Sequence, residues 1–279
     1  MQLDAHQHFW NFTDNPGDFA WMTAEYSVLG RNFLPADLEP LLRANDIDGC
    51  IAVQAREMSK ETGFLLELAE QHSFIRGVVG WADLCDPNVG AGLERYADNP
   101  LLKGFRMLVH DREDIEFAAS SDHARGVGML ANYNWTYDLL LRTIHLPAAQ
   151  RLVDRFPNQS FVIDHIAKPR FDGSDWNIWL TDMQAIAERP NVMCKLSGLV
   201  TETDWSQWQS VDYARYLDAV INAFGANRCM FGSDWPVSTC ATDYTSSRAV
   251  VTDWAGKLSE TEQSAIFGGT CAHFYNVAA

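Results

Sequence analysis

The chain has 279 residues, 47% of them hydrophobic, which is enough for one large domain with a sizeable core. Its formal net charge of −16 leaves no basic surface of the kind that supplies most affinity for nucleic acids and anionic membranes, so neither is expected as a partner. The first residues lack a basic segment followed by an apolar run, and no stretch approaches the roughly 18 apolar residues of a spanning helix. We therefore expect a soluble, cytoplasmic protein.

The six cysteines are scattered and never form a Cys-x-x-Cys pair. This pattern argues against a zinc knuckle and against a dense disulfide framework. We expect most of them to be buried thiols, because several lie inside apolar strand-like runs.

Eight short apolar or β-branched runs recur along the chain, each bounded by turn residues. The predicted strands span residues 3–9, 49–54, 75–82, 102–109, 136–141, 161–166, 192–197 and 228–232. The segments between them have helical periodicity, as in residues 35–43 and 62–70. Near-continuous apolar strands are typical of a parallel sheet that is covered by helices. The predicted fold class is α/β, a single (β/α)8 TIM-type barrel that spans residues 1–279 as one domain.

Two predicted connections are too long for a plain turn and helix, residues 10–32 and 110–135. Long loops in compact domains are often functional. The first one is rich in aromatic residues, namely Trp10, Phe12, Phe19, Trp21 and Tyr26. Two interpretations stay open: these side chains form a wall of a substrate pocket, or they plug one end of the barrel.

The first predicted strand contains His6-Gln7-His8. Because side chains alternate along a strand, His6 and His8 share one face, about 6–7 Å apart along it. Two imidazoles at this spacing can bind one cation or one substrate oxygen. A lone buried histidine is most often structural, but a pair at the carboxyl end of a barrel strand indicates a functional site, because barrel active sites are built there.

A second candidate follows the last strand, in Phe231-Gly-Ser-Asp234-Trp-Pro236. In a closed barrel the last strand lies beside the first, so Asp234 is expected on the same rim as the two histidines. The alternative role is a turn or helix-capping residue, which is common for Asp after Gly-Ser. We predict a catalytic carboxylate.

A third polar cluster, Asp164-His165-Ile-Ala-Lys168, ends the sixth strand. His165 is predicted to be catalytic and to face the barrel mouth. Since neighbouring strand residues point to opposite faces, Asp164 is then expected to face the helices and to take no part in catalysis. Lys195, on the seventh strand, is expected to pair with an acid outside the barrel.

Other positions are weaker candidates for substrate binding. Arg106 ends the fourth strand and can direct its guanidinium at a carbonyl or a carboxylate. Gln54 and Trp81 end the second and third strands and can bind hydroxyls and stack on a ring. Trp21 and Lys168 complete this predicted group.

These motifs resemble the lactonase branch of the amidohydrolase superfamily, which includes L-fuconolactone, L-rhamnonolactone and 2-pyrone-4,6-dicarboxylate hydrolases. The resemblance covers nearly the whole chain. It is carried by Leu3-Asp-Ala-His-Gln-His-Phe-Trp10, Val53-Gln-Ala55, Gly77-Val-Val-Gly-Trp81, Lys103-Gly-Phe-Arg106, Asp164-His-Ile-Ala-Lys-Pro169, Lys195-Leu-Ser-Gly198 and Phe231-Gly-Ser-Asp-Trp-Pro236. It implies a distorted barrel in which the three histidines surround a lactone carbonyl or a metal ion and Asp234 activates water.

The chain departs from the binuclear metal pattern of that superfamily. The fourth strand ends in Arg106 and offers no bridging lysine or glutamate, and the fifth has no histidine, since His145 lies beyond it. Two alternatives stay open. Either one divalent ion, with Zn²⁺ as the expected metal, binds His6, His8 and Asp234, or the site is metal-free and the histidines and Arg106 polarise the carbonyl directly.

The predicted function is hydrolysis of an L-fuconolactone-like sugar lactone to the free aldonic acid, with Asp234 as general base. A neutral lactone is favoured over a dicarboxylate, because the strand ends supply Arg106 alone for carboxylate binding. A metal-dependent decarboxylase of the same superfamily and a non-catalytic sugar-acid binding protein are the alternatives. A homo-oligomer is compatible with the sequence, which does not define the oligomeric state.

Overall fold

The computed structural model describes residues 1–19 and 21–278 and contains one sheet of eight strands, each parallel to its neighbours in chain order. The strands are β1 (Leu3–Gln7), β2 (Gly49–Val53), β3 (Ile75–Gly80), β4 (Leu102–Met107), β5 (Thr136–Leu139), β6 (Phe161–Ile163), β7 (Val192–Leu196) and β8 (Cys229–Phe231). All eight predicted strands are present. Each ends one to three residues earlier than predicted, because the last predicted residues leave the sheet to build its carboxyl rim.

Helices follow the strands and cover the outside of the sheet. They are α1 (Pro35–Ala44), α2 (Glu61–Gln71), α3 (Val89–Glu94), α4 (Ser121–Leu130), α5 (Leu146–Arg155), α6 (Trp176–Ala187), α7 (Tyr213–Phe224), α8 (Tyr244–Ala255), α9 (Glu260–Ser264) and α10 (Thr270–Phe274). In α1 the first residue is Pro35, whose fixed φ suits a first helical turn. None of the helices in the described part of the chain is long and apolar enough to cross a membrane.

The sheet closes between β1 and the residues that follow β8. The amide of Asp234 donates to the carbonyl of His6 at 2.8 Å, and the amide of His8 donates to the carbonyl of Trp235 at 2.7 Å. The predicted (β/α)8 barrel is therefore confirmed. Closure also has a local consequence, because it places the Asp234 backbone directly beside that of the two histidines.

The barrel has an apolar interior at its amino-terminal end and a polar one above it. The apolar layer consists of Leu3, Ala5, Ile51, Val53, Val79, Val162 and Met230, with Cys271 and Tyr275 packed beneath it. The last two residues belong to the C-terminal segment, which closes this end of the barrel. A larger core lies between the strands and the surrounding helices. The open end is the carboxyl rim.

The two long predicted connections differ in the structure. Residues 10–32 form an irregular loop with short 3₁₀ turns at Pro16–Phe19 and Ala24–Leu29. The segment 110–135 begins with residues 110–120, which follow β4 and include short 3₁₀ turns, and then continues into α4. The first of the two has no α-helix among its described residues.

Candidate active site

His6 and His8 meet at the carboxyl end of β1, where their Nε2 atoms lie 3.2 Å apart. Both side chains are buried. The shared face follows from strand alternation, as predicted from the sequence. Strand alternation does not indicate which ring nitrogen carries the proton. The hydrogen-bond partners of each imidazole provide the evidence on that point.

For His8, Nδ1 lies 2.8 Å from the carbonyl oxygen of Val53, and since a carbonyl only accepts, Nδ1 carries the proton. For His6, burial lowers the pKa well below its ordinary value, so the ring is neutral. Its Nε2 lies 3.2 Å from a guanidinium nitrogen of Arg106, which only donates, and its Nδ1 lies 3.2 Å from the carboxylate of Asp164. The ammonium of Lys195, which also only donates, lies 3.2 Å from the same Nδ1, so donors face both ring nitrogens of His6 and its contacts fit either neutral tautomer. The Nε2 lone pair of His8 faces the site.

Asp234 completes this group from the opposite side of the barrel closure. Its Oδ1 lies 3.5 Å from Nε2 of His8 and 3.9 Å from Nε2 of both His6 and His165. Its Oδ2 lies 3.2 Å from Oγ1 of Thr201. Burial by itself raises the pKa of this carboxyl, but His165 and His8 outweigh it and the pKa is lowered. Asp234 is therefore an ionised carboxylate, surrounded by three imidazoles.

The turn after β6 overturns the prediction for Asp164. The strand ends at Ile163, and His165, Ile166, Ala167 and Lys168 all have positive φ, between 47° and 60°. Alternation of faces holds only for extended backbone, and this left-handed turn directs both Asp164 and His165 into the barrel. Asp164 is fully buried, and its Oδ2 accepts from Arg106 at 2.9 Å. The prediction that Asp164 faces the helices is wrong.

Lys195 also lies inside the barrel, so the prediction of a partner outside it is wrong. Its Nζ is 2.5 Å from Asp138 and 3.0 Å from Asp164, and all three side chains are fully buried. The hydroxyl of Tyr275 donates to the same Asp138 oxygen at 2.8 Å. Burial lowers the pKa of Lys195, but the two carboxylates outweigh it and raise that pKa, so the ammonium stays charged. These residues form a buried ionic layer directly beneath His6.

Arg106 lies between this ionic layer and the cavity. Its guanidinium donates to the main-chain carbonyl of Gln54 at 2.5 Å and to the Gln54 side chain at 3.1 Å. Gln54 is fully buried and does not line the cavity, so it holds Arg106 in place. Trp81 is also outside the cavity lining, because its backbone is tied to Thr62 on α2 and its indole points toward Glu57. Neither residue reaches the position expected for substrate contact.

A cavity of about 330 Å³ opens above the histidines and Asp234. Its lining includes Arg106, Lys168 and Trp21 from the predicted substrate-binding group. Three aromatic residues of the first loop also line the cavity, namely Trp10, Trp21 and Tyr26, which supports the pocket-wall interpretation for these three. The other two, Phe12 and Phe19, pack on the core. Sequence reasoning missed several lining residues: His110, Asp111, Arg142, Thr201 and Glu202.

The missed residues bring most of the polar groups at the mouth. Nε2 of His110 lies 2.9 Å from Asp111, and burial lowers the pKa of His110 to about 4, so the ring is neutral at pH 7. Glu202 accepts from Lys168 at 2.6 Å. His110 and Glu202 follow the ends of β4 and β7, and that position on a barrel rim is the signal that could have found them.

The donor set of His6, His8 and Asp234 fits one divalent metal ion. Two imidazole nitrogens and a carboxylate oxygen, all buried and mutually within 4.8 Å, are the ligand types that zinc takes in catalytic sites. The two Nε2 atoms lie 3.2 Å apart, so a cation between them could take a lone pair from each ring. A second possible group, His6, Asp164 and His165, fits less well because Asp164 already pairs with Arg106 and Lys195.

A parallel (β/α)8 barrel with histidines and a carboxylate converging at its carboxyl rim defines a hydrolytic enzyme of the amidohydrolase type. The chain belongs to the Amidohydrolase family, whose model matches residues 3–277. The predicted resemblance and enzyme class are thereby confirmed.

Three relatives cover essentially the full chain. An L-fucono-1,5-lactonase of Burkholderia multivorans is 41% identical, with 99% of this chain and 96% of that protein covered. An L-fucono-1,5-lactonase of Burkholderia ambifaria is 33% identical over the same shares of the two chains. A crystal structure of a Burkholderia multivorans amidohydrolase with bound zinc is 40% identical, covers 100% of both chains and has a TM-score of 0.93.

Proposed function

We propose that this enzyme hydrolyses the ring ester of a sugar lactone similar to L-fucono-1,5-lactone, releasing the aldonic acid. The observation that carries the proposal is the ionised carboxylate of Asp234, held among three imidazoles at the floor of the cavity. The whole-length likeness to two L-fucono-1,5-lactonases supports this substrate class.

Asp234 is the general base in this proposal. Its lowered pKa keeps it ionised at pH 7, and its Oδ1 is directed at the space between the histidines. It takes a proton from water as the water oxygen attacks the lactone carbonyl carbon. When the ring carbon–oxygen bond breaks, the protonated carboxyl returns that proton to the departing ring alkoxide.

His165 and Arg106 are the proposed donors to the carbonyl oxygen as it becomes negative. Burial lowers the pKa of His165 well below its ordinary value, so the ring is neutral, and its Nδ1 lies 2.8 Å from the hydroxyl of Ser197. With Ser197 donating to Nδ1, the Nε2–H of His165 is directed into the site. Arg106 lines the cavity, and its guanidinium is the second proposed donor to the carbonyl oxygen.

We further propose that His6, His8 and Asp234 hold one Zn²⁺ ion. When bound there, such an ion supplies Lewis-acid polarisation of the carbonyl and lowers the pKa of water. Asp164 contributes by orienting the ring of His6 from its Nδ1 side.

The cavity walls suit a polyol ring that has one apolar face. Trp21 and Tyr26 offer stacking surface on one side. His110 also lines the cavity, and its neutral imidazole adds a polar group to the wall. Lys168 offers a donor near His165.

A pH-indicator assay over a panel of aldonolactones tests the proposal, with wild type, Asp234→Asn and Asp172→Asn compared. Asp172 is an exposed carboxylate outside the cavity and is the matched control. We expect turnover by wild type and the control, and a loss of at least about a thousandfold in Asp234→Asn. Circular dichroism checks that the variants fold.

Two results would overturn it: no lactone is opened above the spontaneous rate, or Asp234→Asn keeps full activity. Carbon dioxide release from a hydroxybenzoate-type acid would instead support the decarboxylase alternative. Tight binding of an aldonate without turnover of any lactone would support the binding-protein alternative.

A further inference from the structure

Glu202 is the carboxylate that holds both cations at the mouth of the cavity. Its Oε1 lies 2.6 Å from Nζ of Lys168, and its Oε2 lies 3.6 Å from the guanidinium of Arg142. The side chains of Lys168 and Glu202 are only 13% and 18% exposed, so their charges are weakly screened by water. Of the three side chains, Arg142 is the most exposed, at 48%.

The rest of the cavity wall is also electrically balanced. Arg106 pairs with Asp164 at 2.9 Å, and His110 is neutral because burial lowers its pKa to about 4. Each lysine or arginine that lines the cavity in the described part of the chain therefore already faces a carboxylate. The lining cations are Arg106, Arg142 and Lys168, and the lining carboxylates are Asp111, Glu202 and Asp234.

At the mouth of the cavity a ligand carboxylate finds no unpaired lysine or arginine in the described part of the chain, and it meets Glu202 beside both Lys168 and Arg142. Juxtaposed like charges in a partly desolvated site are strongly disfavoured. A neutral polyol has no such conflict, because its hydroxyls can donate to Glu202 and accept from Lys168 without breaking the pair.

We propose that Glu202 is a specificity-determining residue, which restricts this cavity to uncharged lactones by neutralising Lys168 and Arg142. The inference rests on the proposed lactonase function and deepens it. Replacing the carboxylate of Glu202 by an amide of the same shape leaves Lys168 and Arg142 without a negatively charged partner at the mouth. The variant should therefore admit a lactone that carries a carboxylate in place of its exocyclic CH₂OH group.

The test compares Glu202→Gln with wild type on two lactones of the same ring size and configuration. One is an aldonolactone with a terminal CH₂OH, and the other is the aldarolactone with a carboxylate in its place. We expect the ratio of kcat/KM for the charged lactone to that for the neutral one to rise by about tenfold or more, the scale of one released charge pair.

Asp111→Asn is the matched control. It removes one negative charge from the same wall. Among the described residues Asp111 forms an ion-pair contact with the neutral His110 alone, and it acts on Lys168 and Arg142 only from a longer distance, so no lysine or arginine loses a contacting carboxylate. The ratio should change less than about threefold. An equal rise in both variants would show that overall cavity charge matters and Glu202 does not, which would overturn the proposal.

A second variant and a second measurement keep the inference testable. In Glu202→Gln/Lys168→Gln the ratio should return toward the wild-type value, because one released cation is gone.

Calorimetry measures binding directly and needs no turnover. The two ligands are galactarate, a dianion, and galactitol, its neutral counterpart, and only galactarate should bind more tightly to Glu202→Gln than to wild type. If wild type opens no lactone, the proposed function fails, while the calorimetry still decides this inference. Unchanged galactarate binding in a folded Glu202→Gln would refute it.

Discussion

The carboxylate of Asp164 lies 3.2 Å from Nδ1 of His6, deep inside the barrel and out of contact with solvent. The same carboxylate also pairs with Arg106 at 2.9 Å and with Lys195 at 3.0 Å. Burial raises the pKa of Asp164, but Lys195 and His6 outweigh it and hold that pKa well below its ordinary value. A permanently ionised acceptor therefore orients His6, much as carboxylates orient metal-binding histidines in other sites.

Asp164→Asn should lower kcat/KM by about 10- to 100-fold, because a neutral amide orients His6 less strongly than the buried carboxylate does. It should also lower the free energy of unfolding by about 3–5 kcal/mol, since it leaves buried cations under-compensated. Lactone kinetics and urea unfolding measure the two effects. Asp154→Asn is the control, because Asp154 pairs with Arg189 at 2.9 Å but is 52% exposed, and it should cost less than about 1 kcal/mol. Equal losses in the two variants would contradict a special role for Asp164.

Tyr275→Phe tests whether the C-terminal segment supports the site. The variant removes the hydroxyl that donates to Asp138 at 2.8 Å and keeps the ring in the apolar layer. The free energy of unfolding should fall by about 1–3 kcal/mol, since a buried carboxylate loses a donor. Urea unfolding measures this loss. Tyr133→Phe, which removes an exposed hydroxyl bonded to Glu94 at 2.7 Å, should have almost no effect. If both variants are equally stable, the Tyr275 hydrogen bond contributes nothing measurable.

Gly232→Ala should distort the site through the backbone of β1. A Cβ at position 232 would lie 2.6 Å from Cβ of His6 and 3.0 Å from Cβ of Ser197, so His6 must shift. Overpacking of this kind costs about 1–3 kcal/mol, and we expect kcat to fall at least about tenfold. Gly63→Ala on α2 is the control, because nothing lies within 4 Å of its Cβ position. A Gly232→Ala enzyme with wild-type kinetics would contradict the contact.

His123 should make the protein less stable at mildly acid pH. Its Nδ1 donates to the carbonyl of Ala118 at 2.9 Å, its Nε2 lies 2.7 Å from the hydroxyl of Tyr137, and burial lowers its pKa to about 4. The folded pKa lies below the unfolded value of about 6.5, so the unfolded chain takes up the proton first as pH falls. The stabilisation is complete above pH about 6.5 and is lost as pH falls toward about 4.

Between pH 7 and pH 5 this loss is on the order of 2 kcal/mol for His123 alone. Urea unfolding at the two pH values should show a smaller drop for His123→Gln than for wild type, because glutamine does not titrate and still offers an oxygen to Tyr137. His110 also has a pKa near 4 but is present in both proteins, so the difference isolates His123. Identical drops would exclude it as the titrating group.

Protein purified without added metal should contain about one zinc per chain, because His6, His8 and Asp234 form a single site. Removal by a chelator should lower lactonase activity at least about tenfold, and zinc should restore it. Elemental analysis should show that His8→Asn loses the metal and His145→Asn keeps it, since His145 belongs to neither possible metal group in the described chain. Full activity without metal would favour the metal-free alternative.

Local sequence patterns predicted most of the architecture. Apolar runs of strand length alternating with helical periodicity are enough to predict eight βα units, and the structure contains all eight in chain order. The same reasoning placed His6, His8, His165 and Asp234 on one rim, because each follows or ends a strand and a parallel barrel gathers its strand ends. The structure brings these four together, and their catalytic roles remain predictions.

Tertiary structure decided the rest of the site. Alternation misplaced Asp164, since four residues of positive φ replace the extended backbone there. Lys195 is buried beneath the site because Asp138, Asp164 and Tyr275 reach it from distant parts of the chain. The sequence therefore determines which residues lie on the carboxyl rim, because short-range periodicity places the strand ends. The buried ionic layer beneath His6 and the pairing of Glu202 with Lys168 and Arg142 depend on contacts between distant parts of the chain, which form only when the barrel closes.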